Sequence, residues 1–192
     1  MSEISRSRLF SKLGATSYKA LESATVFCKL RGNPYVELVH WFFQLNQVEN
    51  GDLATIIQAF NLDKSKLQAD FTRSLDALPR GASSISDLSS HIDEAVERAW
   101  TYASVMFGSQ RVRGAHLLIG AFKSTALRNA MLGISREFEK VKVDRLIDEF
   151  GTLLSGSAEE GDDQSAASSA APGEASGAMA GDGPQGSALK RY

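Results

Sequence analysis

The sequence predicts an all-α domain: a pseudo-twofold repeat of two four-helix units, with an extra helix in front and a linker behind. Three observations carry this. Through most of the first 154 residues apolar side chains recur every three or four positions, the period of a helix with one buried face. No stretch alternates apolar and polar residues between Asn-Gly or Asp-Gly turns, so hairpins are not expected. Residue roles in the second half return 72 to 76 positions after their counterparts in the first.

The elements follow in order. A short amphipathic helix, roughly residues 4–13, places Leu9, Phe10 and Leu13 on one side, with Arg6 and Lys12 nearby. Ala20, Ala24 and Cys28 then put three small side chains on one helical face. Asn33-Pro34 offers a cap and a first-turn proline for the next helix. That helix carries Val36, Leu38, Val39, Trp41, Phe42, Phe43 and Leu45, apolar nearly all round, so it belongs in the centre of the core. Asn50-Gly51 breaks it, and Asp52 is placed to cap a short helix with Leu53, Ile56, Ile57 and Phe60. Asp63 caps another, with Leu67, Phe71, Leu75 and Leu78 on one side. Pro79-Arg80-Gly81 ends that helix, and Ala82–Ser86 is a small polar loop.

Then the pattern returns. Ala95, Ala99 and Ala103 stand 75 positions after Ala20, Ala24 and Cys28. Gly108, Val112 and His116 stand 76 after Gly32, Val36 and His40. Ser124, Ile134, Ser135, Val143 and Ile147 stand 72 after Asp52, Leu62, Asp63, Phe71 and Leu75. The first copy spans about 16–78 and the second about 88–154, within a domain of residues 1–154. Either copy alone, near 65 residues, is marginal, because a domain of that size buries only ~60% of its unfolded surface. Packed together they share a core, and the small-residue stripes let helices approach closely. The first helix has no counterpart before the second copy.

Composition changes at residue 155. Residues 155–188 are mostly Ala, Ser and Gly with acids, contain no Val, Ile, Phe or Trp, and read as a flexible acidic linker over 155–192. The closing Leu189-Lys190-Arg191-Tyr192 reads either as the approach to a further domain or as a natural C-terminus.

Chemistry is sparse. A formal net charge of −2 over 192 residues argues against a nucleic-acid binder. One cysteine excludes an internal disulfide and a cysteine-rich metal site. There is no secretory signal and no apolar run long enough for a membrane helix, so an intracellular, soluble protein is expected. His40 and His116, at equivalent places in apolar helices, read as structural. Cys28 reads as a small apolar residue. Glu22, Glu37, Asp93, Glu94 and Glu97 fall on expected solvent faces, and Arg111, Arg113 and residues 140–145 read as solvated basic faces. No GxxxxGK[ST] or GxGxxG turn is present, so no cofactor and no enzymatic activity are expected of this chain. One feature asks for a partner. An amphipathic helix outside a finished repeat either covers the core or walls a groove that takes a helix from another chain.

These residues resemble the N-terminal domain of the Clp/Hsp100 AAA+ unfoldases, and within that family its type VI secretion branch. The resemblance rests on Phe10-Ser-Lys-Leu13, Ala20-Leu-Glu-Ser-Ala24 with Cys28-Lys-Leu-Arg31, Val36-Glu-Leu-Val-His40-Trp41, Ala99-Trp100 with Ala103-Ser104, and His116-Leu-Leu118. It covers about residues 4–154. It implies a substrate-recognition module whose partner is an exposed N-terminal helix of the large contracted-sheath subunit (TssC/VipB). An adaptor-receiving module is the alternative. Carried onto this chain, the groove would be lined by Leu9, Phe10 and Leu13, with Leu88 and Ile92 on the other wall. ATP, Mg and hexamer formation belong to modules absent from this chain, which by itself is expected to be a cytoplasmic monomer of a Gram-negative bacterium, binding neither nucleic acid nor membrane.

Overall fold

A computed structural model describes residues 4–164. The first copy runs α1 (Arg6–Phe10), α2 (Ala15–Arg31), β1 (Tyr35–Val36), α3 (Leu38–Asn46), α4 (Asp52–Ala59) and α5 (Lys64–Asp76), counting the extra leading helix with it. The second runs β2 (Asp87–Leu88), α6 (Ser90–Thr101), a π-helical turn (Tyr102–Met106), α7 (Gly114–Phe122), α8 (Thr125–Ile134), a 3-10 turn (Arg136–Lys140), α9 (Val143–Asp148) and α10 (Phe150–Leu153). A last 3-10 turn covers Asp162–Gln164. The fourth helix of the second copy is thus broken into pieces where α5 is continuous.

Local chemistry explains the boundaries. Ser5 caps α1 by accepting from the Arg8 amide. α2 ends on Gly32, whose φ of +72° is the left-handed conformation a glycine adopts without strain. Asp63 caps α5 through the Lys66 amide, as expected. Two expected caps are not caps. Asn33-Pro34 does not start α3: Pro34 leads into β1, and α3 begins after Glu37. Asp52 is the first residue inside α4, behind Gly51 at the cap position, and its carboxylate serves the other copy.

The central helices α3 and α7 are buried nearly throughout, with Trp41, Phe42, Leu117, Leu118 and Ile119 fully enclosed. The small-residue stripes lie in the core as expected, Ala24, Cys28, Ala95, Ala99 and Ala103 having no exposed surface. Their purpose shows at Gly120 in α7. A Cβ there would lie 2.7 Å from the Ala99 backbone nitrogen in α6 and 3.0 Å from its Cα. Backbone cannot swing aside, so α6 and α7 would have to separate. Gly120→Ala is expected to lose about 1–3 kcal/mol in urea unfolding, although alanine favours helix over glycine.

The copies are joined reciprocally. Two short parallel pairings, which the sequence did not announce, tie the segment leading into each copy to the other copy. Leu88 pairs with Val36, and Leu13 forms a parallel bridge with Val112. The pairings are related by the repeat: Leu88 lies 75 residues after Leu13, and Val112 lies 76 after Val36. The bonds match as well, Ser89 N–H donating to the Val36 carbonyl at 2.8 Å and Gly14 N–H to the Val112 carbonyl at 2.7 Å.

The repeat also explains the histidines. His40 Nδ1 accepts the Glu37 amide at 2.8 Å, and His116 Nδ1 accepts the Arg113 amide at 3.1 Å, each closing the first turn of its helix. An accepting Nδ1 places the proton of the neutral ring on Nε2. His40 Nε2–H then donates to Asn33 Oδ1 at 2.9 Å. The residue 76 positions after Asn33 is Ser109, whose hydroxyl turns instead to Asp163, and the buried His116 Nε2 has no hydrogen-bond partner.

Burial, with the nearby Arg31 charge, lowers the His40 pKa to about 4. Burial, with Arg113, lowers that of His116 to about 3. Depressed values mean that the unfolded chain takes up these protons first. The rings' contribution is therefore complete above pH ~6.5 and is lost as pH falls towards 4 and 3. Glu159, raised by burial and then by Asp52, acts in the opposite sense. NMR isolates the rings: neither His40 nor His116 should titrate between pH 8 and 5, and a midpoint near 6.5 for either would contradict its burial.

Candidate functional site

Each residue in the chain's candidate site begins with α1. This helix packs against the start of α6 and is clamped there by Arg6. Its guanidinium donates from Nε and Nη2 to the two carboxylate oxygens of Asp93, at 2.8 and 2.7 Å, and from Nη1 to Asp87 at 2.8 Å. The bidentate fork fixes orientation as well as distance. Both partners are largely exposed, so the clamp is a positioning contact of modest energy. The Arg6 pKa is raised, chiefly by the hydrogen bond to Asp93. Further along, Lys12 Nζ sits 4.8 Å from the Trp100 ring centroid, holding the end of this segment against α6.

The structure separates the five expected groove residues. Leu9, Leu13 and Ile92 are core residues, with 7%, 3% and 0% of their surface exposed, and they do not line an open groove. The apolar side of α1 is the side that seats it on the domain. Phe10 and Leu88 are half-buried at the edge of that contact. Ile4, just before α1, is exposed. Apolar surface is thus left near the Arg6 clamp in sequence: at Ile4, two residues before Arg6, at Phe10, four residues after it on α1, and at Leu88, next to its partner Asp87.

A second apolar surface was not anticipated. Val26 and Leu30 on α2 are exposed and, with Lys19, Glu22, Ser23 and the half-buried Phe27, line a shallow recess of about 430 Å³. The signal was present in the sequence, since Val26 and Leu30 are four residues apart on a face that the Ala20/Ala24/Cys28 stripe does not occupy. Leu30 has a repeat counterpart in Val105, 75 residues on, which is exposed too.

The titratable groups off these surfaces serve the packing. The Cys28 thiol donates to the carbonyls of Asn33 and Tyr35, and burial, then the Glu37 charge, pushes its pKa up, away from nucleophile chemistry. Arg113 is no solvated base. It is buried, and donates from Nε and Nη2 to both oxygens of the fully buried Asp52, at 2.8 and 2.7 Å. Asp52 also accepts the Ala115 amide at 3.0 Å, so a residue of α4 caps α7. The segment after α10 joins this cluster. Ser157 donates to Asp52 at 2.6 Å, and the buried Glu159 accepts the amides of Asp52 and Gly114 at 2.7 and 2.8 Å. The linker expected from residue 155 therefore does not begin there, because residues 155–164 pack on the domain through charge and backbone amides; residues 165–192 lie outside the described residues. Among the described residues no group of three or more His, Cys, Asp or Glu could hold a metal ion. No helix among them is long and apolar enough to cross a membrane.

A tandem helical repeat with His40, His116, its cysteine and its buried charges engaged in its own packing, and with apolar side chains left at the surface of two helices, defines a binding module. Residues 12–132 match the Clp repeat (R) N-terminal domain, and the chain belongs to that family. It is 54% identical over 182 residues to the AAA+ ATPase ClpV1 of Pseudomonas aeruginosa, which covers 94% of this chain and 20% of the relative. It is 43% identical over 182 residues to the chaperone protein ClpB of Yersinia enterocolitica, covering 93% and 20%. The chain thus spans about a fifth of the length of the curated relatives it matches. Among solved structures, one described with the coevolution of the ATPase ClpV, the TssB-TssC sheath and the accessory HsiE protein superposes with a TM-score of 0.80 at 54% identity, covering 83% of this chain and 98% of that one. A complex of a ClpV N-domain with a VipB peptide shares the fold, with a TM-score of 0.72 at 24% identity over 83% and 97% of the two chains.

Proposed function

We propose that this chain is the substrate-recognition domain of a type VI secretion unfoldase, and that it holds an exposed N-terminal helix of the large contracted-sheath subunit. The observation that carries the reading is α1. It lies outside the repeat and is clamped to α6 by the Arg6 fork, with Ile4 exposed just before it, and Phe10 at its end and Leu88 beside Asp87 partly exposed. The 54% identity to ClpV1 supports it, and so does the VipB-peptide complex of a ClpV N-domain with the same fold. ATP and Mg chemistry, hexamer formation and the threading of substrate then belong to the rest of the longer protein, in the cytoplasm. The chain itself acts as a monomeric, non-catalytic receptor.

An amphipathic peptide helix would bury a few apolar side chains against α1 and its surroundings. Each is worth roughly 1.5–3 kcal/mol before ordering costs, so micromolar affinity, about −8 kcal/mol, is the expected scale. Six such sites on a ring would add avidity. The test is a fluorescence-anisotropy titration with a labelled N-terminal peptide of the large sheath subunit. Saturable micromolar binding is expected, weakened at least tenfold by Ile4→Asp. The α2 recess gives a second location, and loss of binding in Leu30→Asp with Ile4→Asp unaffected would move the site there. No binding to the unaltered chain at high concentration would overturn the reading in favour of an adaptor-receiving module.

A further inference from the structure

We propose that residues 157–163 form a latch that ties the chain leaving the domain to the elbow between α1 and α2, so that undocking this segment loosens α1. The latch has two ends. At the first, the Glu159 carboxylate lies between the N-termini of α4 and α7 and accepts one amide from each, Asp52 at 2.7 Å and Gly114 at 2.8 Å. The site is shaped for it. A Cβ on Gly51 would come within 3.1 Å of Glu159 Oε2, and one on Gly114 within 3.1 and 3.2 Å of its two oxygens, so two glycines leave the space the carboxylate fills. Ser157 braces the turn, donating to Asp52 and accepting the Glu159 amide. Ala158 N–H donates to the Asn50 carbonyl at 2.8 Å, and Asn50 Nδ2 to that of Gly156 at 3.0 Å.

The other end reaches the elbow. Asp162 Oδ2 accepts the Thr16 amide in the first turn of α2, at 3.2 Å. The Asp163 carbonyl accepts the amides of Gln110 and Arg111, each at 2.8 Å, and its carboxylate takes the Ser109 hydroxyl. Arg111 in turn donates to the Ser11 carbonyl at 2.7 Å, and Val112 bridges Leu13. An unbroken path of hydrogen bonds therefore runs from the departing chain, through residues 109–112, to the segment that holds α1. These contacts are amides and charges with little apolar burial, the kind of interface that opens locally while the core stays closed. The asymmetry between the copies points the same way: Ser109, counterpart of the Asn33 that satisfies His40, is turned to the latch.

The test is hydrogen exchange on the full chain without peptide, so it stands or falls separately from the peptide-binding reading. In Glu159→Ala the amides of Ala158 and Glu160 should exchange at least tenfold faster. Those of Gly14 and Val112, whose own hydrogen bonds run across the elbow to the carbonyls of Val112 and Lys12 and not to the latch, should accelerate at least threefold. Leu118 and Ile119 in α7 should keep their rates. Latch amides that accelerate while Gly14 and Val112 do not would overturn the coupling. Unchanged latch amides would remove Glu159 as its anchor. If Leu118 and Ile119 accelerate equally, the variant has opened globally, and Glu159→Gln, which keeps the side-chain volume and one acceptor oxygen, is held to the same pattern and the same two refutations.

Discussion

Arg113→Ala should be among the most damaging single changes in this domain, lowering stability by about 3–5 kcal/mol in urea or thermal unfolding. Arg113 is buried and Asp52 has no exposed surface, so removing the cation leaves a carboxylate in the core beside a second one, Glu159. The Ser157 hydroxyl and Ala115 amide on Asp52 remain but carry no charge. The loss should be far from additive. Removing both partners in Asp52→Leu/Arg113→Met also removes the stranded charge, and a double variant more stable than Arg113→Ala is the expected signature of a charge pair whose desolvation nearly offsets its attraction. If Arg113→Ala costs under ~1 kcal/mol, water reaches the cluster and the seam between α4 and α7 is open.

Leu13→Arg should be comparably severe and separates two views of α1. Leu13 is 3% exposed beside the bridge to Val112, so arginine would bury a charge with no partner in place of a leucine side chain worth ~1.5–3 kcal/mol. A loss above ~4 kcal/mol is expected, and circular dichroism should show it as a collapsed melting transition. Ile4→Asp, at an exposed position, should stay within about 0.5 kcal/mol of the unaltered chain. A folded Leu13→Arg that merely loses peptide binding would restore Leu13 to the groove.

Much of the architecture was readable because it depends on periodicity. The Ala20/Ala24/Cys28 and Ala95/Ala99/Ala103 stripes announced close helix contacts, and the repeat paired His40 with His116 before their matching amide bonds were visible. What escaped depends on partners distant in sequence. Arg111 and Arg113 are two residues apart and look alike, yet one reaches the carbonyl of Ser11 while the other neutralises Asp52, 61 residues away. Residues 155–164 look like the Ala/Ser/Gly chain that follows, because hydropathy does not register a segment held by a carboxylate on backbone amides. The apolar face of α1 is legible in the sequence, and the structure shows that Leu9 and Leu13 on it cover the chain's own core. Amphipathicity identifies a face to be covered, and whether the cover is the chain's own core or another molecule is settled only by packing.

A protein with a single four-helix unit could make the Leu13–Val112 and Leu88–Val36 pairings only as a homodimer whose two chains exchanged arms. Duplicating the gene and joining the copies head to tail turns that exchange into an intramolecular one, independent of protein concentration. Fusion also leaves two equivalent arms in different circumstances, one near each unduplicated extension of the chain. Arg6 of the leading helix grips the second arm at Asp87, and Asp162 of the trailing segment sits on the first arm, beside Gly14. Two joints that are equivalent in the repeat are thus distinct in their neighbours, and the domain is directional although its copies are not.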